Sequence, residues 1–218
     1  MDTPARESRR ESLRRRFPPS RPADVTYEIA GLNDIDDVYA LAYSAFLRRN
    51  YVARSTEGRL IHHDGHFDLS PDTTIFIARR RSTRKLVGTL SVTLDGPEGL
   101  PAEEDFPEEI TRLRKECEML YHIWRFAMDP KIEDCQIDIT YSLISLALFS
   151  ERFARCTGST AIVHPRHVPF YRSLECGPIA YRTCARGLSN APAVLIGHVD
   201  KRFQMTPDEE RQYGLLVA

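Results

Sequence analysis

From Val25 onward the apolar and polar positions follow one of two periods, two residues for a strand or 3.6 for a helix. Val25-Thr-Tyr-Glu-Ile29 alternates as a short strand that Gly31 ends. Asn33 or Asp34 then stands where a helix N-cap belongs, and Ile35, Val38, Leu41, Ala42, Ala45 and Phe46 recur at helical spacing. That helix is predicted to run to about Arg49. Residues 51–71 keep neither period and read as a long loop of the functional kind. Residues 73–80 and 86–94 are two β-rich runs across a charged turn, the signature of a hairpin. Residues 103–115 place acids in the first turn and bases in the last, as a helix dipole favours. Residues 119–128 make another strand, stopped by Asp129 and Pro130. The longest helical pattern spans residues 134–156, with Ile137, Tyr141, Ile144 and Leu148 on one ridge and Leu143, Ala147 and Phe149 on the next. Gly158 is the expected C′ residue. A strand at 160–164, a short helix at 168–174 and strands at 179–184 and 193–199 complete the order. No internal repeat occurs. Strands interleaved with helices around a central hairpin predict a mixed α/β sheet flanked by helices and able to hold a cleft.

Composition narrows the class. The chain has 218 residues, 42% apolar and 28% charged, with 30 basic and 31 acidic side chains. That is too apolar for intrinsic disorder, and near-neutral charge argues against a dedicated nucleic-acid binder. The longest uncharged stretch, 135–150, is interrupted by Asp138 and too short to span a membrane. Residues 1–22 lack the apolar core of a secretory signal. They hold seven arginines (6, 9, 10, 14, 15, 16 and 21) and read as a solvated tail, or as a basic arm for an acidic partner or an anionic membrane surface. Residues 201–218 read as a C-terminal extension. The five cysteines (117, 135, 156, 176 and 184) form no C-x-x-C pair, so reduced thiols in a cytoplasmic protein are expected.

Several segments carry a resemblance: Val87-Gly-Thr-Leu-Ser-Val-Thr-Leu-Asp95, Gly99-Leu-Pro-Ala-Glu-Glu-Asp-Phe106, Leu113-Arg114, Arg125-Phe-Ala-Met-Asp-Pro130, His164-Pro-Arg-His-Val-Pro-Phe-Tyr-Arg172 and Asn190-Ala-Pro-Ala-Val-Leu195. In that order and spacing, residues 25–200 resemble the long-chain N-acyl amino acid synthases. Those are relatives of the acyl-homoserine-lactone synthases within the GNAT-fold acyltransferases. The resemblance implies a mixed sheet splayed in its middle. It also implies a long-chain acyl thioester donor, borne on the phosphopantetheine of acyl carrier protein, and an amino acid amine as acceptor, with no resident cofactor. GNAT enzymes that use coenzyme A carry a glycine-rich loop after the fourth strand, where backbone N–H groups cradle the pyrophosphate. Residues 129–136 contain no glycine, which favours the carrier-borne donor.

Amide formation from a thioester needs a base for the ammonium, donors for the oxyanion and a proton for the thiolate. The lactone synthases place a glutamate where this chain has His122, whose imidazole titrates near ~6.5 and suits a general base. Packing in a strand is the other reading. Arg125 lies on the opposite face from His122 in a regular strand, and a bulge would bring the two together. It is expected to hold an acidic loop or a substrate carboxylate, or to sit in a structural ion pair. The backbone N–H groups of Phe126, Ala127 and Met128 are candidate oxyanion donors. Tyr171 stands where many GNAT enzymes keep the tyrosine that protonates the leaving thiolate, and is otherwise a core tyrosine. Arg166 and His167 are candidates for steadying the phosphopantetheine arm. The stretch His62-His-Asp-Gly-His-Phe-Asp68 offers metal-ligand types without a regular helical spacing, so no metal site is expected. Asp64 and Asp68 instead fit the place where related enzymes hold the acceptor or pair with arginines. Ser91 stands where the lactone synthases have an arginine, which argues against a lactone product. The alternatives are a coenzyme A-dependent N-acetyltransferase and a non-catalytic acyl-binding module.

Overall fold

The computed structural model describes residues 24–132, 135–172, 174, 176–188 and 191–198. The expected Arg-rich tail and C-terminal extension lie outside them. Seven strands form one sheet in the order β1-β2-β3-β4-β5-β7-β6: β1 Val25–Ile29, β2 Thr73–Arg80, β3 Leu86–Leu94, β4 Leu120–Met128, β5 Gly158–Val163, β6 Gly177–Ala185 and β7 Ala191–His198. Every neighbouring pair is antiparallel except β4 and β5, which run parallel. That single parallel step joins an N-terminal meander, β1 to β4, to a C-terminal antiparallel trio in which β7 lies between β5 and β6, and the two strands part beyond Ile123 and Ala161.

Helices cover both faces. α1 (Ile35–Arg48) and α2 (Pro107–Glu116) share a core with Ile75, Ile77, Ala127 and Leu195. α3 (Gln136–Phe153) lies on the other face against Phe76, Ala78, Leu90, Val92 and Met128. The short α4 (Val168–Arg172) lies near the smaller cluster of Ala161, Val163, Val194 and Ile196. Each fully buried Leu, Ile or Phe in these seams stabilises the fold by about 1.5–3 kcal/mol.

The expectations at Asp34, at residues 103–115 and at Gly158 need correction. Asp34 precedes α1, but its carboxylate caps no N–H of that helix; Oδ2 accepts from the N–H of Gly31 and Oδ1 pairs with Arg79. A preceding turn, Leu32–Asp34, already carries the chain into α1. The helix expected at 103–115 is two pieces, a single turn at Pro101–Glu104 and then α2, because Pro107 at the first helical position begins a new helix. The inward ridge of α3 is Ile139, Leu143 and Ala147, whereas Ile137 is 68% exposed. Gly88 sets this ridge, since a Cβ there would meet Ile139 Cγ2 at 2.9 Å and Leu143 Cδ1 at 3.0 Å. Gly158 is no helix cap either. Arg155 takes the left-handed position (φ 56°), and the N–H of Cys156 closes the helix onto the carbonyl of Glu151. Gly158 instead starts β5, where a Cβ would come within 2.6 Å of Cys117 Sγ.

Candidate active site

β4 carries the site. Leu120, His122 and Trp124 alternate toward the α1 face, while Tyr121 and Ile123 turn toward α3. The register with β3 then slips between Thr89–Ala127 and Ser91–Trp124, so that one extra β4 residue is inserted. Arg125 absorbs the slip with φ 47°, a left-handed conformation rare outside glycine. The bulge puts two consecutive side chains, Trp124 and Arg125, on the α1 face together with His122. Arg125 Nε and Nη2 donate to Ser91 Oγ at 3.1 and 2.7 Å, and its guanidinium lies 4.5 Å from the centre of the Trp124 ring.

Beyond Ile123–Ala161 the parallel ladder between β4 and β5 stops. From Arg125 to Met128 the edge of β4 that turns toward β5 therefore has no ladder partner among the described residues, while its other edge stays paired to β3 as far as Met128. The N–H groups of Phe126, Ala127 and Met128 belong to this divergent segment. Arg48, at the end of α1, reaches across to donate to the Pro130 carbonyl just past β4.

His122 is 1% exposed, and its Nδ1 shares a 2.9 Å hydrogen bond with Thr160 Oγ1 on β5. Thr93 faces His122 across β3 and accepts from Trp124 Nε1 at 2.9 Å. Asp68 is brought to Arg125 by the turn Phe67–Leu69, in which its side chain is 1% exposed against 0% for Arg125, with Nη2–Oδ1 at 2.5 Å. Tyr39 of α1 donates to Asp68 Oδ2 at 2.8 Å, and burial, followed by that carboxylate, pushes its phenol up to about 12. Arg125 Nη1 is buried with no hydrogen-bond partner.

The other expected residues scatter. Asp64 lies apart from Asp68 in a cleft of about 710 Å³ shared with His66, Glu98 and Glu104. Its cleft is walled by Arg114, which Asp95 and Glu103 both hold. His62 packs edge-on to Phe46 and Trp124, and His66 to Phe67, so these histidines of the loop face apart. Among the described residues no three His, Cys, Asp or Glu side chains converge as a metal-ligand set. Tyr171 sits on the α3 and α4 side of the sheet, opposite His122, and burial, aided by Cys176, raises its phenol above the ordinary value. Arg166 and His167 gather instead around Tyr51, at the far end of β5. Tyr51 hydroxyl lies 3.2 Å from His167 Nε2, its ring stacks on His164 at 5.1 Å, and Arg166 covers it at 5.0 Å.

The sequence reading missed Tyr39, Trp124, Thr93 and Thr160. Tyr39 looked like one more aromatic on an amphipathic helix. Thr93 and Thr160 become partners of Trp124 and His122 only through the strand register, which no local pattern states.

The site is thus a V-shaped gap at the one parallel step, beside a bulged strand with a buried arginine–aspartate pair. A family model described as N-acyl amino acid synthase FeeM covers residues 37–199. The chain belongs to this family. Among solved structures, FeeM from uncultured soil microbes superposes with a TM-score of 0.66 at 23% identity, covering 79% of this chain and 93% of that one. Escherichia coli ElaA (TM-score 0.56, 12% identity, 80% and 99% covered) has the same fold. So has an acyl-CoA N-acyltransferase from Pseudomonas aeruginosa (0.54, 15%, 81% and 99%). No curated protein matches the chain in sequence. The FeeM-family chain is thus an N-acyltransferase with the GNAT fold. Among its described residues no helix is long and apolar enough to cross a membrane.

Proposed function

We propose that this FeeM-family enzyme transfers a long-chain acyl group from the phosphopantetheine thioester of acyl carrier protein to the α-amine of an amino acid. The carrying observation is the edge of β4 from Phe126 to Met128, past its last ladder pair with β5, with His122 on one face of the sheet and Tyr171 on the other. A thioester laid along that edge presents its carbonyl to backbone N–H groups that are fixed before the reaction, the arrangement that stabilises an oxyanion. The amine approaches from the α1 face and gives its proton through water to His122, which Thr160 orients. The tetrahedral intermediate collapses, the C–S bond breaks, and the thiolate takes the Tyr171 proton. Burial keeps that phenol protonated, and a thiolate expelled into the same apolar surroundings is raised by the same desolvation. Arg125 is spent on Asp68, Ser91 and the Trp124 face, so its part is to hold the bulge and the acidic loop in place.

Two features support a carrier-borne donor over coenzyme A. Residues 129–136 hold no glycine, and Asp138 sits in the first turn of α3, where negative charge opposes a pyrophosphate. Such a donor also places the reaction in the cytoplasm. The test is turnover by the purified chain with one amino acid pool and two donors, palmitoyl-carrier and palmitoyl-coenzyme A, read by mass spectrometry. N-palmitoyl amino acids should form with kcat/KM about tenfold or more higher for the carrier, a difference of about 1.4 kcal/mol. Acetyl transfer from acetyl-coenzyme A without palmitoyl transfer would replace this reading with an acetyltransferase. Tight acyl binding without product would replace it with a binding module.

A further inference from the structure

A second cavity, of about 500 Å³, opens where β5 ends, lined by Arg49, Tyr51, His164 and Arg166 and closed by Ala191 and Pro192. Its charge is one-sided. The groups that act on His167 are Arg166, Arg49 and His164, all basic. Arg49 itself meets the positive charges of Arg166 and Arg48. Among the described residues neither Arg49 nor Arg166 has a carboxylate partner, whereas Arg79, Arg114, Arg125, Arg182 and Arg186 all do. Two guanidinium groups at one cavity, Arg166 over the Tyr51 ring and Arg49 beside it, with no carboxylate partner among the described residues, are a site for a small anion, since the planar fork matches a carboxylate bidentately.

Position says which anion. Thr160, Ile162 and His164 alternate to the same side of β5, and Thr160 is the partner of His122. The parallel register ends at Ile123 with Ala161, the strands diverge beyond it, and His164 follows directly on the end of β5. The cavity is therefore on the α1 face, at the end of α1 where Arg48, the neighbour of Arg49, reaches the Pro130 carbonyl just past β4. A chain of ring contacts runs from Trp124 through His62 and Phe46 to Tyr51 and so joins the two places. An amino acid carries its carboxylate one carbon from its amine. Holding that carboxylate at the cavity rim brings the amine to the carbonyl from the His122 side.

We infer that Arg49 and Arg166 bind the α-carboxylate of the acceptor amino acid, with Tyr51, Val52 and Pro192 walling its side chain. This rests on the proposed reaction and adds the acceptor subsite to it. The pair thus selects free amino acids over simple amines and over carboxamides of the same shape. It assigns Arg166 to the acceptor rather than to the phosphopantetheine arm.

The test uses the full chain, R166M and R49M, with L-phenylalanine, L-leucine and L-phenylalaninamide as probes. Titration calorimetry without donor should show L-phenylalanine binding to the wild type and weakening about tenfold or more in each variant, the loss of a charge-assisted hydrogen bond. L-Phenylalaninamide should bind all three proteins equally weakly. In turnover, KM for L-phenylalanine and L-leucine should rise by the same factor while KM for the acyl-carrier donor stays within about twofold. Amino acid binding that is absent in the wild type or unchanged in the variants overturns the assignment. So does a rise in donor KM alone, which would make the anion the phosphate of the pantetheine arm. Binding is read without turnover, so a wild type that binds L-phenylalanine through these arginines yet forms no amide would refute the proposed reaction and keep the site.

Discussion

At the scale of single residues, His122 and Arg125 do different work, and two experiments separate them. His122 is buried beside Thr160, so H122Q keeps the size and a hydrogen bond but removes the base. A fall in kcat of about 10²–10⁴-fold with little change in melting temperature is expected, as for loss of general-base catalysis. Full activity in H122Q would make this histidine a packing residue. For the Arg125–Asp68 pair the expected loss is in stability first. D68N leaves a guanidinium without its counter-charge in a site where both side chains are 1% exposed or less. The cost should be about 3–5 kcal/mol in urea unfolding, because an uncompensated buried charge remains. A loss under about 1 kcal/mol would mean that the pair is solvated, as exposed ion pairs are. These two residues were legible in the sequence through their resemblance to a motif. Asp68 was legible too, as an acid placed to pair with an arginine; Tyr39 and Thr160 were not, because Tyr39 lies 29 residues from Asp68 and Thr160 lies 38 residues from His122.

Among the elements, the strands were read best and the helix ends worst, and the reason is physical. The hairpin strands Thr73–Arg80 and Leu86–Leu94 announce themselves by β-branched residues and a charged turn, and the structure keeps those limits. Helix ends depend on which distant group captures a cap. Asp34 would cap α1 by local rules, but Arg79 on the neighbouring strand holds its Oδ1. The inward face of α3 stayed open in the sequence for a related reason. With apolar side chains almost all round, periodicity leaves the ridge open, and the strand beneath chooses it by offering Gly88. Here G88V should force α3 off the sheet and cost about 1–3 kcal/mol, the usual penalty of overpacking. β3 carries β4, which forms one side of the gap toward β5, so activity should fall along with stability. Unchanged urea stability in G88V would show that α3 does not press on β3 as described.

Over the whole molecule, a nearly neutral sum conceals separated charges: acids around the cleft of Asp64, Glu98 and Glu104, and bases around the cavity of Arg49 and Arg166 at the far end of β5. Composition could not reveal this, because the separation is made by the topology. It gives the fold a pH dependence whose sign follows from His167. Burial, then Arg166, Arg49 and His164, hold its imidazole down to about 4, against an ordinary value of 6.5. The unfolded chain takes up that proton as pH falls below 6.5, while the folded chain stays neutral there until about 4. Unfolding is thus favoured as pH falls through that window, and the full stability is present above it. His164 is shifted the same way, by burial and then Arg166, and adds to the slope. The melting temperature of the wild type should therefore fall steadily from pH 7 to pH 4.5, and H167Q should lose less over the same range. Glutamine keeps a polar group near the Tyr51 hydroxyl and cannot be protonated, so the difference between the two curves isolates the imidazole. Parallel curves would mean that His167 takes up its proton in the folded protein as readily as in the unfolded chain, and that the bases around Tyr51 are too well solvated to repel it. The same result would weaken the cavity as an anion site, since the positive potential of Arg166 and Arg49, which adds to burial in keeping His167 neutral, is also what draws a carboxylate there.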